Sequence, residues 1–155
     1  AGVAGAFDRK LQLGEVVNVV SEQFGDLGVE DQDGSFMNIH QMELIPPNHP
    51  PFQDGKLINP HTTGFEFLPA VNGLTVNKVH GSQSSIDQIT SQYKVEVESM
   101  EGAAFFYAAL LSEIPFLEIR AISNYVEPRN RANWKLKEAI DNLNATLIEL
   151  VKSFN

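Results

Sequence analysis

The run EIRAISNYVEPRNR, residues 118–131, begins as a buried strand and stops at Ser123 and Asn124, ahead of a loop carrying Glu127, Pro128, Arg129 and Arg131. A side-chain amide both donates and accepts hydrogen bonds. Open α/β sheets bind ligands above the carboxyl ends of their strands, where such a residue would stand. Glu101, in ESMEGAA, is a second candidate, placed in the first turn of a helix that directly follows a strand. Alone, an acidic residue there does no more than complement the helix dipole. If the strands leading to Glu101 and to Asn124 are parallel neighbours, however, both side chains rise at one sheet edge and form a candidate site.

Positioning that pair takes a sheet and its crossovers. EVVNVVSEQF (15–24), rich in valine and bounded by Gly14 and Gly25-Asp26, predicts a strand. FLPAVNGLTVNKV (67–79) predicts a strand interrupted at Asn72-Gly73, and SQSSIDQITSQY (82–93) a short helix capped by Ser82, Ser84 or Ser85. In VEVESMEGAAFFYAALLSEIPF, Val95 and Val97 predict a short strand and Ser99 an N-cap; a helix then runs to about Ile114, stopped by Pro115. The strand FLEIRAIS follows. ANWKLKEAIDNLNATLIELVKSF closes the chain as a helix with Leu136, Ile140, Leu143, Leu147, Leu150 and Val151 on one face. Residues 44–64, with five prolines and little periodicity, predict a long loop. Near-continuous apolar strands alternating with helices signal a single α/β domain over 1–155.

Bulk properties narrow the partners. Eleven Lys and Arg against twenty Asp and Glu give a net charge of −9, which argues against nucleic acid. No apolar run reaches transmembrane length, so no membrane partner is expected. The 155 residues, 43% hydrophobic and 20% charged, suit one soluble globular domain. The absence of cysteine excludes disulfide and thiolate chemistry and is compatible with a cytoplasmic location. His40, His49, His61 and His80 have no i,i+4 pairing and read as solvated, so no metal is expected. Phe105, Phe106 and Tyr107 read as core or subunit-contact surface rather than substrate-stacking groups. AGVAGAF begins as though mid-element, with Gly2 and Gly5 bracketing a turn.

VESMEGAAFFYAAL followed by IRAISNY resembles the closing half of the purine nucleoside phosphorylase and nucleosidase superfamily, and GVAGAFDRKLQLGEVV resembles its glycine turn and the strand after it. The likeness covers essentially the whole chain. ISNYVEPRNR, DLGVED and LTVNKVHG are most similar to the family's futalosine-hydrolysing members, which release hypoxanthine from futalosine in menaquinone biosynthesis. The resemblance implies a three-layer α/β/α sheet, hydrolysis of a ribosyl C–N bond in a purine nucleoside, a homodimer, and no cofactor. It implies Met100 and Glu101 on the ribose, and Ser123 and Asn124 on the base, with Asn124 the catalytic contact to the departing purine. Asn124 would accept from N7–H and donate to O6 of a 6-oxopurine, whereas an aspartate would suit a 6-aminopurine. Phosphorolytic relatives commonly carry a hydroxyl where Val3 stands, so water is the expected acceptor. Arg129 or Arg131 is implied for the carboxylate of futalosine's 5′ extension; taken singly, each reads first as a solvated arginine.

Full-length relatives carry a strand and helix before the glycine turn, with the glutamate that activates water. On this reading the sheet lacks its N-terminal strands, that residue is unassigned, and the chain alone is expected to be inactive. Two other readings stay open. One is a methylthioadenosine/adenosylhomocysteine nucleosidase or a purine nucleoside phosphorylase; the other is a noncatalytic remnant that binds a nucleoside or completes an oligomer.

Overall fold

Pairing with two neighbouring strands holds the glycine- and alanine-rich β1 (Gly2–Ala6), whereas β-branched residues, which favour extended backbone, build the long β2 (Val16–Phe24). The computed structural model describes residues 1–153. Phe154, to which the closing helix is predicted to run, lies outside the described residues. A small hairpin follows, β3 (Gly28–Glu30) and β4 (Phe36–Asn38), turned at Asp33-Gly34 with Gly34 at φ +80°, a conformation glycine adopts at no steric cost. The proline-rich segment contributes only β5 (Leu57–Ile58). Then come β6 (Ala70–Thr75), α1 (Gln83–Gln92), β7 (Val97–Ser99), α2 (Gly102–Leu111), β8 (Glu118–Tyr125), one 3₁₀ turn at Arg131–Asn133, and α3 (Leu136–Ser153). Ser82 caps α1 by accepting from the Ser85 N–H, as its position predicts.

The main sheet runs β5-β2-β6-β7-β1-β8, and β8 pairs back onto β2, so five strands close into a ring with β5 on its flank. β7 and β8 are therefore not the parallel neighbours anticipated from sequence. β1 lies between them, antiparallel to β7 and parallel to β8. Gly5 of β1 stands in register with Glu98 on one side and Asn124 on the other. Residues paired across adjacent strands share a face, so this insertion still brings the two outer strands' side chains to one place.

Helices cover the sheet on both sides. Ala139 and Leu143 of α3 pack on Ile119 and Ala121 of β8. Ala103 and Phe106 of α2 pack in the larger cluster with Ala4, Val17, Val19, Val71 and Ile122. The predicted face of α3 is rotated by about one residue. Leu143 is buried and Leu147 and Leu150 pack against the cluster, but Leu136, Ile140 and Val151 are exposed and Ala139 takes the central place. α2 ends sooner than predicted, at Leu111, and Glu113 at φ 53° turns the chain before Pro115 is reached.

One feature beneath α2 departs from ordinary core composition. Glu22 of β2 is fully buried. A Cβ on Gly73 or on Gly102 would run into its Oε1, so the two glycines make the room for this carboxyl. Overpacking a tight site costs about 1–3 kcal/mol, and Gly102→Ala is expected to lower stability to urea by that amount. In a Glu22→Ala background the two nearest opposing atoms are gone and Glu118 Oε1 remains at 2.9 Å, so the same substitution should cost less. An equal loss in both backgrounds would place the clash elsewhere.

Candidate active site

The first and last strands of the ring floor a cleft of about 550 Å³, lined by Gly2 to Gly5, Glu98 to Glu101, Arg120, Ser123, Asn124 and Trp134 among others. Gly2 and Gly5 do not bracket a turn, as the sequence predicts, but lie within β1. Their lack of a side chain serves close approach instead. A Cβ on Gly2 would stand 2.5 Å from a guanidinium nitrogen of Arg120; one on Gly5 would stand 3.2 Å from Asn124 Nδ2 and 3.5 Å from Glu98 Cγ. With strands rising about 3.3 Å per residue, the two glycines set the ends of the cleft floor roughly 10 Å apart.

The Gly2 end is electrostatic. Arg120 is the one buried arginine or lysine among the described residues. Its Nε donates to Glu118 Oε1 at 2.6 Å and one terminal nitrogen donates to Glu101 Oε2 at 3.1 Å. Glu118 is buried with Oε2 lacking a partner, and Glu22 lies next to it with Oε1 unpartnered. Burial first, and the Glu118 charge second, push the Glu22 carboxyl up to about 8, against the hydrogen bond from Thr75 and the charge of Arg120. Glu22 therefore keeps its proton at neutral pH. Thr75 Oγ1 donates to Glu22 at 2.8 Å and accepts from the Ala103 N–H at 2.6 Å, tying this carboxyl to the start of α2.

Glu101 is the N-cap of α2, not a residue of its first turn, and its side chain makes no capping bond. Ser99, the predicted cap, ends β7 and its hydroxyl accepts from the Gly102 N–H at 3.4 Å. Relieved of capping, the Glu101 carboxylate is 69% exposed and fixed only through Arg120, leaving Oε1 for a ligand. Met100 beside it is half-exposed and lines the cleft.

The Gly5 end is built from amide and carboxyl groups. Asn124 is buried within β8, which extends to Tyr125 rather than stopping at Ser123. Its Oδ1 accepts from the Ser123 hydroxyl at 2.8 Å and its Nδ2 donates to the Tyr125 carbonyl at 3.0 Å. An amide has two acceptor sites and two N–H donors, so one of each remains for a ligand. Across Gly5, Glu98 Oε2 shares a hydrogen bond of 3.0 Å with His80 Nδ1, both side chains more than nine-tenths buried. His80 is thus not the solvated histidine expected. Burial pushes the Glu98 carboxyl above the ordinary range, with His80 pulling the other way, and its Oε1 lacks a partner.

Arg120, Glu98, Glu118, Trp134 and Phe105 are among the lining residues that sequence reading does not single out for the site. A charge inside an apolar strand is a usable signal for Arg120, and a lone tryptophan after a site loop for Trp134. Arg129 and Arg131 do not line the cleft. They are exposed, with their guanidinium carbons 5.5 and 5.7 Å from the Trp134 ring centroid, at the cleft's rim. Among the described residues no group of three or more His, Asp or Glu is placed to hold a metal ion, and no helix is long and apolar enough to cross a membrane.

Residues 1–154 match the family model described as the phosphorylase superfamily. A futalosine hydrolase of Thermus thermophilus is 33% identical over 144 residues, which are 92% of this chain and 63% of the relative. One of Streptomyces coelicolor is 30% identical over 141 residues, 90% and 58% of the two chains. The chain thus spans about three-fifths of the length of these relatives. Among solved structures, a 5′-methylthioadenosine/S-adenosylhomocysteine nucleosidase from Neisseria meningitidis, in complex with methylthio-immucillin-A, superposes with a TM-score of 0.73 at 20% identity. That match covers 98% of this chain and 67% of the other. Futalosine hydrolase of Helicobacter pylori gives 0.66 at 14% identity, covering 96% and 66%. At those identities the likeness is one of fold.

The buried carboxyl supplies a pH signature. Glu22 titrates near 8 in the fold and near the ordinary carboxylate value when unfolded. Between those values the native state holds the extra proton, so this group's contribution falls as pH rises, by up to about 1.4 kcal/mol per unit. Urea unfolding of the wild type and of Glu22→Gln at pH 5, 6.5 and 8 should show the variant's relative stability increasing with pH. A difference that stays flat would mean Glu22 is ionised in the fold.

Proposed function

The chain belongs to the phosphorylase superfamily, and from that premise we propose that its cleft hydrolyses the N-glycosidic bond of a 6-oxopurine nucleoside, with futalosine as substrate and hypoxanthine as the released base. The observation that carries this reading is the pairing of an Arg120-held carboxylate at one end of β1 with a half-used amide at the other. Cleavage moves the C1′–N9 bonding electrons into the base while positive charge builds on the sugar, and water adds at C1′. Glu101, at the Gly2 end, accepts hydrogen bonds from ribose hydroxyls and opposes that positive charge. Met100 offers a polarizable surface to the sugar.

At the Gly5 end, Asn124 accepts from N7–H and donates to O6, stabilising the departing base; Ser123 fixes the amide's orientation by donating to Oδ1. Val3 lines the cleft without a hydroxyl to offer phosphate, which favours water as the acceptor. A 5′ extension leaving past Trp134 would meet Arg129 and Arg131, suited to its carboxylate. The named relatives of 30–33% identity support futalosine. The fold likeness to a methylthioadenosine nucleosidase supports a second reading, a 6-aminopurine substrate, and the residue at 124 discriminates between them. We further propose that the protein works as a cytoplasmic homodimer.

In the protein as its gene encodes it, Glu101→Gln is expected to lower kcat by about 10²–10³-fold with the circular dichroism unchanged; near-normal turnover would remove Glu101 from the site. Asn124→Asp should lower kcat/KM for the hypoxanthine nucleoside and raise it for the adenine nucleoside on the identical sugar. An amine facing the asparagine N–H leaves a buried donor unpaired, which costs about 1–3 kcal/mol. The ratio for the two bases, measured in wild type and variant, should therefore move at least about 5-fold. If it does not move, Asn124 does not read the base.

A further inference from the structure

We propose that Glu98, braced by His80, is a second base-reading residue of this cleft and accepts the N1–H of the bound 6-oxopurine through its unpartnered Oε1. The proposal rests on the nucleoside reading above and extends it to the base's opposite edge. Three observations meet at Gly5. Glu98 and Asn124 are its register partners on the two neighbouring strands. Both side chains come within contact distance of the position a Gly5 side chain would fill. Both line the same cleft.

Two strand spacings separate their backbones, about 9–10 Å, and the missing side chain between them leaves a flat floor. A planar base lying there has Asn124 at one edge and Glu98 at the other. With Asn124 engaged at N7 and O6, the next polar atom around the ring is N1, on the side facing away from N7. In a 6-oxopurine N1 carries a proton and needs an acceptor; in a 6-aminopurine it is an acceptor itself and would face a carboxylate oxygen.

Glu98 is prepared for that contact. His80 Nδ1 occupies Oε2 at 3.0 Å and holds the carboxyl in place, while Oε1 is buried and has no protein partner. Leaving a buried carboxyl oxygen unpaired is unfavourable, and a ligand N–H at that point removes the deficit. Glu22 and Glu118 also leave one oxygen unpartnered; Glu98 differs in standing across Gly5 from Asn124, where the base would lie.

The test compares hypoxanthine with its 1-deaza analogue, in which C–H replaces N1–H while O6 and N7 remain. Both are titrated calorimetrically into the protein as its gene encodes it. Wild type is expected to bind hypoxanthine about 10- to 100-fold more tightly, the range of a charge-assisted hydrogen bond. In Glu98→Ala the discrimination should collapse to within about threefold, whereas Asn124→Ala should weaken both ligands and preserve their ratio. The wild-type arm needs no variant, so misfolding of Glu98→Ala cannot mask the answer. Wild type that binds hypoxanthine but does not distinguish the analogue overturns the role of Glu98 and leaves the nucleoside reading standing. Wild type that binds no purine at all overturns both.

Discussion

A guanidinium buried in a sheet has to be answered by negative charge at hydrogen-bonding distance, and Arg120 sets that requirement for the whole site. Glu118 answers it from the same strand, at 2.6 Å, and Glu101 answers it from the start of α2. A buried cation without Glu118 would be strongly unfavourable, and Glu101, 69% exposed, adds a weaker, solvent-screened pairing from the start of α2. The position of α2 relative to β8 is therefore fixed electrostatically as well as by the packing of Ala103 and Phe106. The cluster then holds more carboxyls than one arginine can neutralise, and Glu22 resolves the excess by keeping its proton. Gly2, Gly73 and Gly102 follow from the same demand, since each lies where a side chain would displace a member of the network. A polar assembly under a helix start leaves Glu101 exposed yet oriented, which suits a carboxylate meant for a ligand.

The other end of the cleft works by hydrogen-bonding capacity. Asn124 commits half of its donors and acceptors to Ser123 and Tyr125, which removes rotational ambiguity from its amide. What remains is a donor and an acceptor in a fixed order. β1 joins the two ends. Its glycines admit the arginine at one point and open the floor at another, so one short strand sets both the depth of the cleft and the distance between its polar groups.

Much of this was legible in the residues, and the rest was hidden for identifiable physical reasons. Glu101, Met100, Ser123 and Asn124 lie in one cleft as expected, because strand and helix boundaries near them carry local signals. The order of strands does not: β1 inserts between β7 and β8 through pairing over more than a hundred residues, and no local pattern encodes it. The helix faces were less secure. Leu136, Ile140 and Val151 fit an amphipathic stripe, but the small Ala139 permits the closest approach and turns α3 onto itself as the contact point. The hairpin β3–β4 carried an Asp-Gly signal between strands too short for a clear alternation. Buried charge was the hardest to see. Glu22, Glu98 and His80 look like surface residues by type, and only the three-dimensional neighbourhood shows that they are paired or protonated within the core.

The closure of the ring has a consequence for how the molecule is made. β1 and β2 are synthesised about a hundred residues before β8, yet each pairs with it. Such distant pairings carry a loop-closure cost that is recovered only when both partners exist. Until β8 has been made, the edges of β1 and β2 that await it stay open to water and to other nascent chains. The cleft, floored by β1 and β8, is consequently assembled in the same event that seals the sheet. Ligand-binding competence and protection of those edges then arrive together, once β8 is in place, and a chain stalled before residue 118 would have neither.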